Sequence, residues 1–298
     1  MKLRNTHRLP TALVAAVTND PYNAGECDFT TSTLILPPQI YQLRLRYWDQ
    51  IEEDAMDRIW SLLGQAIHHI LERGAKDSAI FKGKNYLFEQ RVFFQVDNRV
   101  VSTQIDHWVD GTLFDYKVTS VWSVIDGPKP EWTAQLNIGA YGLRVTHNLE
   151  TTALKNVCIL RDWSMNRAKR GQGYPPNQVK TVSNKLWTME EQYDFISRRI
   201  ALHEAAGEVS DEELAELFPC SFEERWAKPT TYAVMKKGRK TALRVFASKE
   251  EAENFFLANG GLKSDVLRIE VRPGEQTRCE KYCSVAPFCH QFKALKAA

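Results

Sequence analysis

The stretch Gln104–Lys117, QIDHWVDGTLFDYK, holds three aspartates and ends on a lysine. Asp110-Gly111 in its middle is a two-residue hairpin signal, so Asp106 and Asp115 lie on paired strands on either side of a turn. Side chains alternate along a strand, which puts Asp115 and Lys117 on one face. The pairing brings Asp106 towards Asp115, with the register left open. Two close carboxylates repel unless a cation lies between them. Hard carboxylate oxygens suit Mg²⁺ or Mn²⁺. A lysine beside such an ion can orient or deprotonate a water, or stabilise charge growing on a phosphate. The bland alternative is a solvated hairpin face with a cross-strand Asp–Lys pair, because D-x-K alone is common.

Two further features add to this stretch. In GQAIHHILE, Gly64, His68 and Glu72 are four apart and share one helix face. His68 flanks an apolar stripe and points inward, and Gly64 one turn earlier leaves room for a backbone or a ligand. Taken alone, His68 reads as a hydrogen-bonded core histidine. Gln135 lies early in a helix that follows the strands and carries no signal by itself.

The cysteines form a second constellation. Cys279, Cys283 and Cys289 make C-x₃-C-x₅-C in a loop-like tail. In a reducing compartment such thiols are metal ligands before they are disulfides. A tetrahedral site needs a fourth ligand, and Cys220, Cys27 and His290 are the candidates. Cys158 sits in an apolar strand and reads as core. Three free surface thiols are the alternative.

The elements that must position these residues are legible from periodicity. Residues 1–30 look irregular, and a helix starts after Pro37-Pro38. Met56, Trp60, Leu63, Ile67 and Ile70 keep helical spacing over 53–73, with Gly74 as the stop. Strands are predicted over 86–96, 99–109 and 112–120, joined by Asp97-Asn98 and Asp110-Gly111 as an antiparallel meander. A helix over 130–145 and a strand over 154–164 follow. Residues 188–207, 210–217 and 248–261 read as helices, and 230–246 as a hairpin around Gly238. The expected fold is α/β, a central mixed sheet flanked by helices over residues 1–184, then a helical and hairpin lobe over 185–298 with the cysteine cluster.

Composition sets the outer limits. The chain has 298 residues, 43% of them hydrophobic and 26% charged, enough for a sizeable core. A net charge of +2 decides nothing about nucleic acid, so clustering matters instead. RDWSMNRAKR (161–170) and KKGRK (236–240) are local basic patches or solvated loops. No apolar run reaches a membrane-spanning length, and TALVAAV (11–17) is too short for a signal segment. The expectation is a cytoplasmic protein with no membrane partner.

The order G-x-x-x-H-x-x-x-E, then D-x₈-D-x-K, then a glutamine-bearing helix resembles the RecB-like branch of the PD-(D/E)XK nuclease superfamily. That branch includes the nuclease domains of RecB and AddB and the CRISPR-associated four-cysteine exonucleases, and the layout looks most like phage-type members. The resemblance covers roughly residues 30–165, and the cysteine tail adds to it. It implies a restriction-endonuclease-like core with metal ligation by His68, Asp106, Asp115 and the Tyr116 carbonyl. It also implies Asp106, Asp115, Lys117 and Gln135 as catalytic residues, Gln135 near the substrate, and Glu89 as a further metal-shell acid. The chain departs from the pattern at Thr103, where a glycine is common, and at Gly139, where a tyrosine is common and the nearest is Tyr141.

Several RecB-like nucleases close a 4Fe–4S cluster with one distant cysteine and three near the C-terminus. The distant one often precedes a proline ahead of the histidine helix. LPPQIYQL has no cysteine there, so Cys220 in its Pro-Cys-Ser turn becomes the expected partner of Cys279, Cys283 and Cys289. The usual spacing is C-x₂-C, so Zn²⁺ stays open as the alternative. The implied function is a Mg²⁺- or Mn²⁺-dependent DNA exonuclease that leaves 5′-phosphate and 3′-hydroxyl ends in a bacterial or phage-infected cell. Its DNA would be single-stranded or the ends of a duplex. No helicase motif is present, so unwinding falls to a helicase, annealing or recombination partner, and a homo-oligomer is compatible. The alternatives are a structure-selective endonuclease of the same fold and a non-catalytic DNA-binding module. The intact set His68, Asp106, Asp115 and Lys117 argues against the last.

Overall fold

Two tight turns organise the central sheet. Asp97 and Asn98 have φ of 51° and 62°, and Asp110 and Gly111 have φ of 45° and 85°. Positive φ at both central residues is what a type I′ hairpin demands, and Asp, Asn and Gly tolerate it best. The computed structural model describes residues 1–19, 23–76, 79–171, 173–261 and 266–297. The chain forms two units, Met1–Val209 and Ser210–Ala298.

The first unit runs β1 (Lys2–Arg4), α1 (Thr11–Thr18), β2 (Phe29–Thr30), α2 (Thr31–Ile35), α3 (Pro38–Arg46), β3 (Glu52–Asp54) and α4 (Ile59–Lys76). It continues through β4 (Tyr86–Val96), β5 (Arg99–Val109), β6 (Thr112–Thr119), α5 (Pro130–His147), β7 (Ala153–Leu160), α6 (Met165–Ala168), β8 (Val179–Asn184) and α7 (Met189–Gly207). The main sheet is mixed. β4, β5 and β6 form the antiparallel meander, β7 joins β6 in parallel, and β8 closes on β7 antiparallel. One edge of β5 belongs to β4. The other is shared by β2, at Val101–Ser102, and β6, at His107–Val109. Thr103 to Asp106 lie in the notch between those two partners.

Helices flank this sheet. Leu136, Ala140 and Leu143 of α5 pack on Val92, Ile105, Trp108, Leu113 and Leu154. Ile196 and Ile200 of α7 join Phe29, Leu34, Phe94, Val96, Val101, Ile138 and Tyr141 in a second cluster. Arg199 of α7 donates to the Leu34 and Leu36 carbonyls at 2.5 and 2.6 Å. α7 is therefore part of the first unit, and the division falls after Val209 rather than after residue 184. Residues 1–30 are not wholly irregular, because Thr11–Thr18 is helical. Gly74 does not stop α4, which runs on to Lys76.

The second unit runs α8 (Asp211–Leu217), β9 (Ala227–Lys228), β10 (Thr231–Lys236), β11 (Arg244–Phe246), α9 (Lys249–Ala258), β12 (Leu267–Arg272), β13 (Glu275–Gln276), α10 (Thr277–Lys281) and α11 (His290–Ala297). β10 is central, with β11 and β12 antiparallel on either side. Ser210 caps α8 in a capping box with Glu213. Among the described residues of both units, no helix is long and apolar enough to cross a membrane.

Candidate metal and acid site

β5 and β6 pair up to His107–Phe114, so the next step sets Asp106 across from Asp115. β6 leaves β5 there. The Tyr116 N–H turns to the Asp106 side chain, donating to Oδ2 at 2.8 Å. On the far edge, the β4 ladder pairs Phe88 with His107 and Gln90 with Ile105, and is interrupted at Glu89 between them. Glu89 has φ of 44°. A non-glycine residue in that region carries strain of order 1–3 kcal/mol and persists only where its surroundings hold it.

The interruption shifts the side-chain alternation. Leu87 and Val92 on β4 both pack under α5, as do Ile105 and Trp108 on β5. An odd separation puts such pairs on opposite faces of a regular strand. The slip falls at Glu89 on β4 and at Asp106–His107 on β5. It delivers the two acids to one place, where His68 from α4 meets them. Nδ1 of His68 lies 2.8 Å from Glu89 Oε1 and 3.8 Å from Asp106 Oδ2. One ligand atom from each of His68, Glu89 and Asp106 falls within 4.8 Å of the other two. Gln104 donates to the second Glu89 oxygen at 3.3 Å.

Asp115 is buried and held at both carboxylate oxygens. Lys117 donates to Oδ1 at 2.8 Å, and Asn156 on β7 donates to Oδ2 at 2.8 Å. Lys117 also donates to Gln135 Oε1 on α5 at 2.9 Å. Asn156 is fixed in turn by Asn184 of β8 at 2.7 Å, and Thr133 of α5 donates to Asn184 at 2.9 Å. A closed circuit thus runs from α5 through β8 and β7 to Asp115, then through Lys117 back to α5. Each link in it is a hydrogen bond of 2.7–2.9 Å, and such satisfied bonds let a buried network rigidify rather than destabilise.

The charges respond to this crowding. Burial first, then the Asp115 charge, push the Asp106 carboxyl up to about 7. The Glu89 hydrogen bond outweighs burial and, with Asp106 and Asp115, raises His68 to about 9. Burial acts to lower Lys117, but the Asp115 charge and hydrogen bond, with Asp106, raise it on balance, so it is an ammonium. A carboxylate whose proton affinity is raised by a second carboxylate marks a place short of positive charge. Together with the histidine nitrogen and Glu89, this donor set fits a hard divalent cation.

Each residue singled out in the sequence has a definite place. His68, Glu89, Asp106, Asp115 and Lys117 converge, and Gln135 reaches them through Lys117. The Tyr116 ring lies edge-on to His68, centroids 6.4 Å apart, with its hydroxyl 3.1 Å from His107 Nδ1, while its backbone N–H reaches Asp106. Thr103, where a glycine was the common residue, is buried beside the notch. Gly139 has no room for a tyrosine, since even a Cβ there would lie 3.2 Å from Leu113 and 3.3 Å from Ile105. Tyr141 is buried in the core against Phe94 and takes no part in the site. Asn156, Asn184 and Thr133 went unnoticed in the sequence. The available signal was Asn156 on the buried face of β7, in step with Leu154, Cys158 and Leu160. A polar residue there needs a partner.

In the second unit, Cys220, Cys279, Cys283 and Cys289 gather. Gln291 of α11 accepts from the Cys220 N–H at 3.0 Å and donates to its carbonyl at 2.9 Å, tying that loop beside Cys289. Burial first, then Glu224, Cys289 and Cys283, raise the Cys220 thiol. Burial, Cys283 and Cys289 raise Cys279 to about 11. Two other residues were candidates for the fourth ligand. Cys27 belongs to the first unit, its thiol against the Ala24 carbonyl. The ring of His290 lies 3.6 Å from Glu212. Cys158 is fully buried in the first unit.

No protein-family model matches the chain, and no curated protein does. Among solved structures, one described as the crystal structure of SSO0001 aligns over 64% of this chain and 84% of its own, at 16% identity and a TM-score of 0.42. That likeness is too loose to carry an argument. The architecture itself is mixed α/β, a mixed central sheet flanked by helices.

Proposed function

We propose that the chain is a metal-dependent DNA nuclease with a PD-(D/E)XK-type core of the RecB-like kind, acting as an exonuclease. The observation that supports this reading is the convergence of His68, Glu89, Asp106, Asp115 and Lys117 where the strand alternation slips. A regular sheet would scatter them.

His68, Asp106 and Asp115 would hold the ion, with Glu89 beside them. Mg²⁺ or Mn²⁺ there supplies an activated water and neutralises charge on the phosphate. The chain's own part is positioning. Asn156 and Lys117 fix both oxygens of Asp115. Lys117 uses two of its three N–H donors on Asp115 and Gln135, which leaves one for a phosphate oxygen. A fixed ammonium aimed at developing charge is a large contribution to catalysis. Gln135 sets the direction of that donor.

The proposed resident of the second unit is an iron–sulfur cluster held by Cys220, Cys279, Cys283 and Cys289. Thiolates suit both iron–sulfur and Zn²⁺, so the preference for iron rests on the resemblance, and Zn²⁺ is the alternative.

The test is digestion of end-labelled single- and double-stranded DNA with Mn²⁺ by the parent, Asp115→Asn and Lys117→Ala. Loss of about a hundred- to a thousandfold in rate is expected for each variant. Unchanged cleavage in both overturns the assignment. Cutting of closed circular DNA would move it to an endonuclease.

A further inference from the structure

Four basic residues and two tryptophans lie together beyond the acids in the first unit. Trp60 and Trp122 are 53% and 62% exposed, far more than large aromatic rings usually are. Each has an arginine over its ring. Arg161 Cζ sits 4.2 Å from the Trp60 centroid, and Arg167 Cζ sits 5.9 Å from that of Trp122. Lys169 and Arg170 follow, both exposed. Asp162, the acid within this patch, is held by the Ser120 hydroxyl and the Val121 N–H, each at 2.7 Å.

Two paths lead from the acids to this patch. α4 packs against β6. Along α4, His68, Gly64 and Trp60 follow at four-residue steps, so Trp60 is about 12 Å from His68 along the axis. A Cβ added at Gly64 meets nothing within 4 Å, so the helix surface between them is open. Along β6, Asp115 to Thr119 covers about 13 Å. The Arg161 N–H donates to the Thr119 carbonyl at 3.0 Å, and Trp122 lies in the turn that follows. The two paths have nearly equal length and end on the same Trp–Arg group.

We infer that this group is a stacking platform for single-stranded DNA, which it delivers along α4 to the acids. This rests on the nuclease reading for the fate of the strand, but not for its binding. A base offers a π-face to an exposed indole whatever its identity, while arginines and lysines follow the phosphates. In a duplex those faces are already stacked, so tryptophans exposed beside arginines favour an unpaired strand. The platform makes single-stranded DNA the preferred substrate.

The experiment is fluorescence anisotropy of a labelled 15-nucleotide oligothymidylate, and of a blunt duplex of the same length, in EDTA. The parent should bind the single strand more tightly than the duplex. Trp60→Ala and Trp122→Ala should each weaken single-strand binding by about tenfold, and Trp122→Phe should retain most of it. Arg161→Gln with Arg167→Gln should flatten the salt dependence by about 1.4 in log–log slope. Equal binding by parent and both tryptophan variants overturns the platform, as does tighter binding of the duplex. A protein that binds the oligonucleotide through these tryptophans yet cuts no DNA with Mn²⁺ or Mg²⁺ supports the platform and overturns the nuclease. One that cuts DNA while the variants bind and cut like the parent does the reverse.

Discussion

Asn156 tests whether the acid site is held by its buried circuit. Asn156→Ala deletes the donor to Asp115 Oδ2 and the acceptor for Asn184. A hydrogen bond to a charged group contributes about 1.5–3 kcal/mol, and the gap left at a fully buried position adds to the cost. Asn184 keeps the Val182 carbonyl at 3.3 Å, which limits the damage on that side. The expected loss is about 2–4 kcal/mol, a large share of an ordinary domain's stability. Urea unfolding of the parent, Asn156→Ala, Asp115→Asn and the double variant gives the pairwise coupling. If the bond to the Asp115 charge matters, Asn156→Ala should cost at least about 1 kcal/mol less once Asp115 is neutral. A cost below about 0.5 kcal/mol, or an equal cost in both backgrounds, would refute the idea that the circuit holds Asp115.

Three further outcomes are expected. Burial, then the Arg199 charge, holds His203 down at about 4, whereas an unfolded histidine titrates near 6.5. The unfolded chain therefore takes up the proton first, and stability is full above pH 6.5 and falls by about 3 kcal/mol towards pH 4. His203→Gln should reduce this acid slope in unfolding experiments, and an unchanged slope would exclude His203 as its source. Protein purified without air should be brown and carry iron. Cys220→Ser should lose the metal and loosen the second unit while Cys158→Ala keeps it, as read by metal analysis and thermal melting. A full complement of metal in Cys220→Ser would place the fourth ligand elsewhere.

The meander was legible because three apolar-rich runs are separated by Asp-Asn and Asp-Gly, whose local preferences suit the turns they form. α4, α5 and α7 were legible from apolar spacing. β8 was not, since VKTVSN has only two apolar residues and becomes a strand by pairing with β7. The end of the first unit was also hidden. α7 looks like an ordinary amphipathic helix, and only packing shows that Ile196 and Ile200 complete the main core. In the site, the acids and the lysine could be picked out because a charge on a strand face is conspicuous. Asn156, Asn184 and Thr133 could not, because their role lies in partners from three separate elements. Nor does any pattern of residue types announce the slip in alternation. On β4 it coincides with one backbone torsion, the positive φ of Glu89.

That torsion, at Glu89, bears on how this sequence can change. Glycine is the residue that its φ favours, and Glu89→Gly would relax the backbone by about 1 kcal/mol. It would also remove the acceptor that orients His68. Any other L-residue keeps the torsional cost without replacing the carboxylate, apart from aspartate, whose side chain is shorter by one methylene. Random substitution followed by selection for thermal stability alone should therefore drift towards glycine at this position. Selection for the chemistry should retain glutamate. The residue found at position 89 then records which of the two demands a lineage has faced.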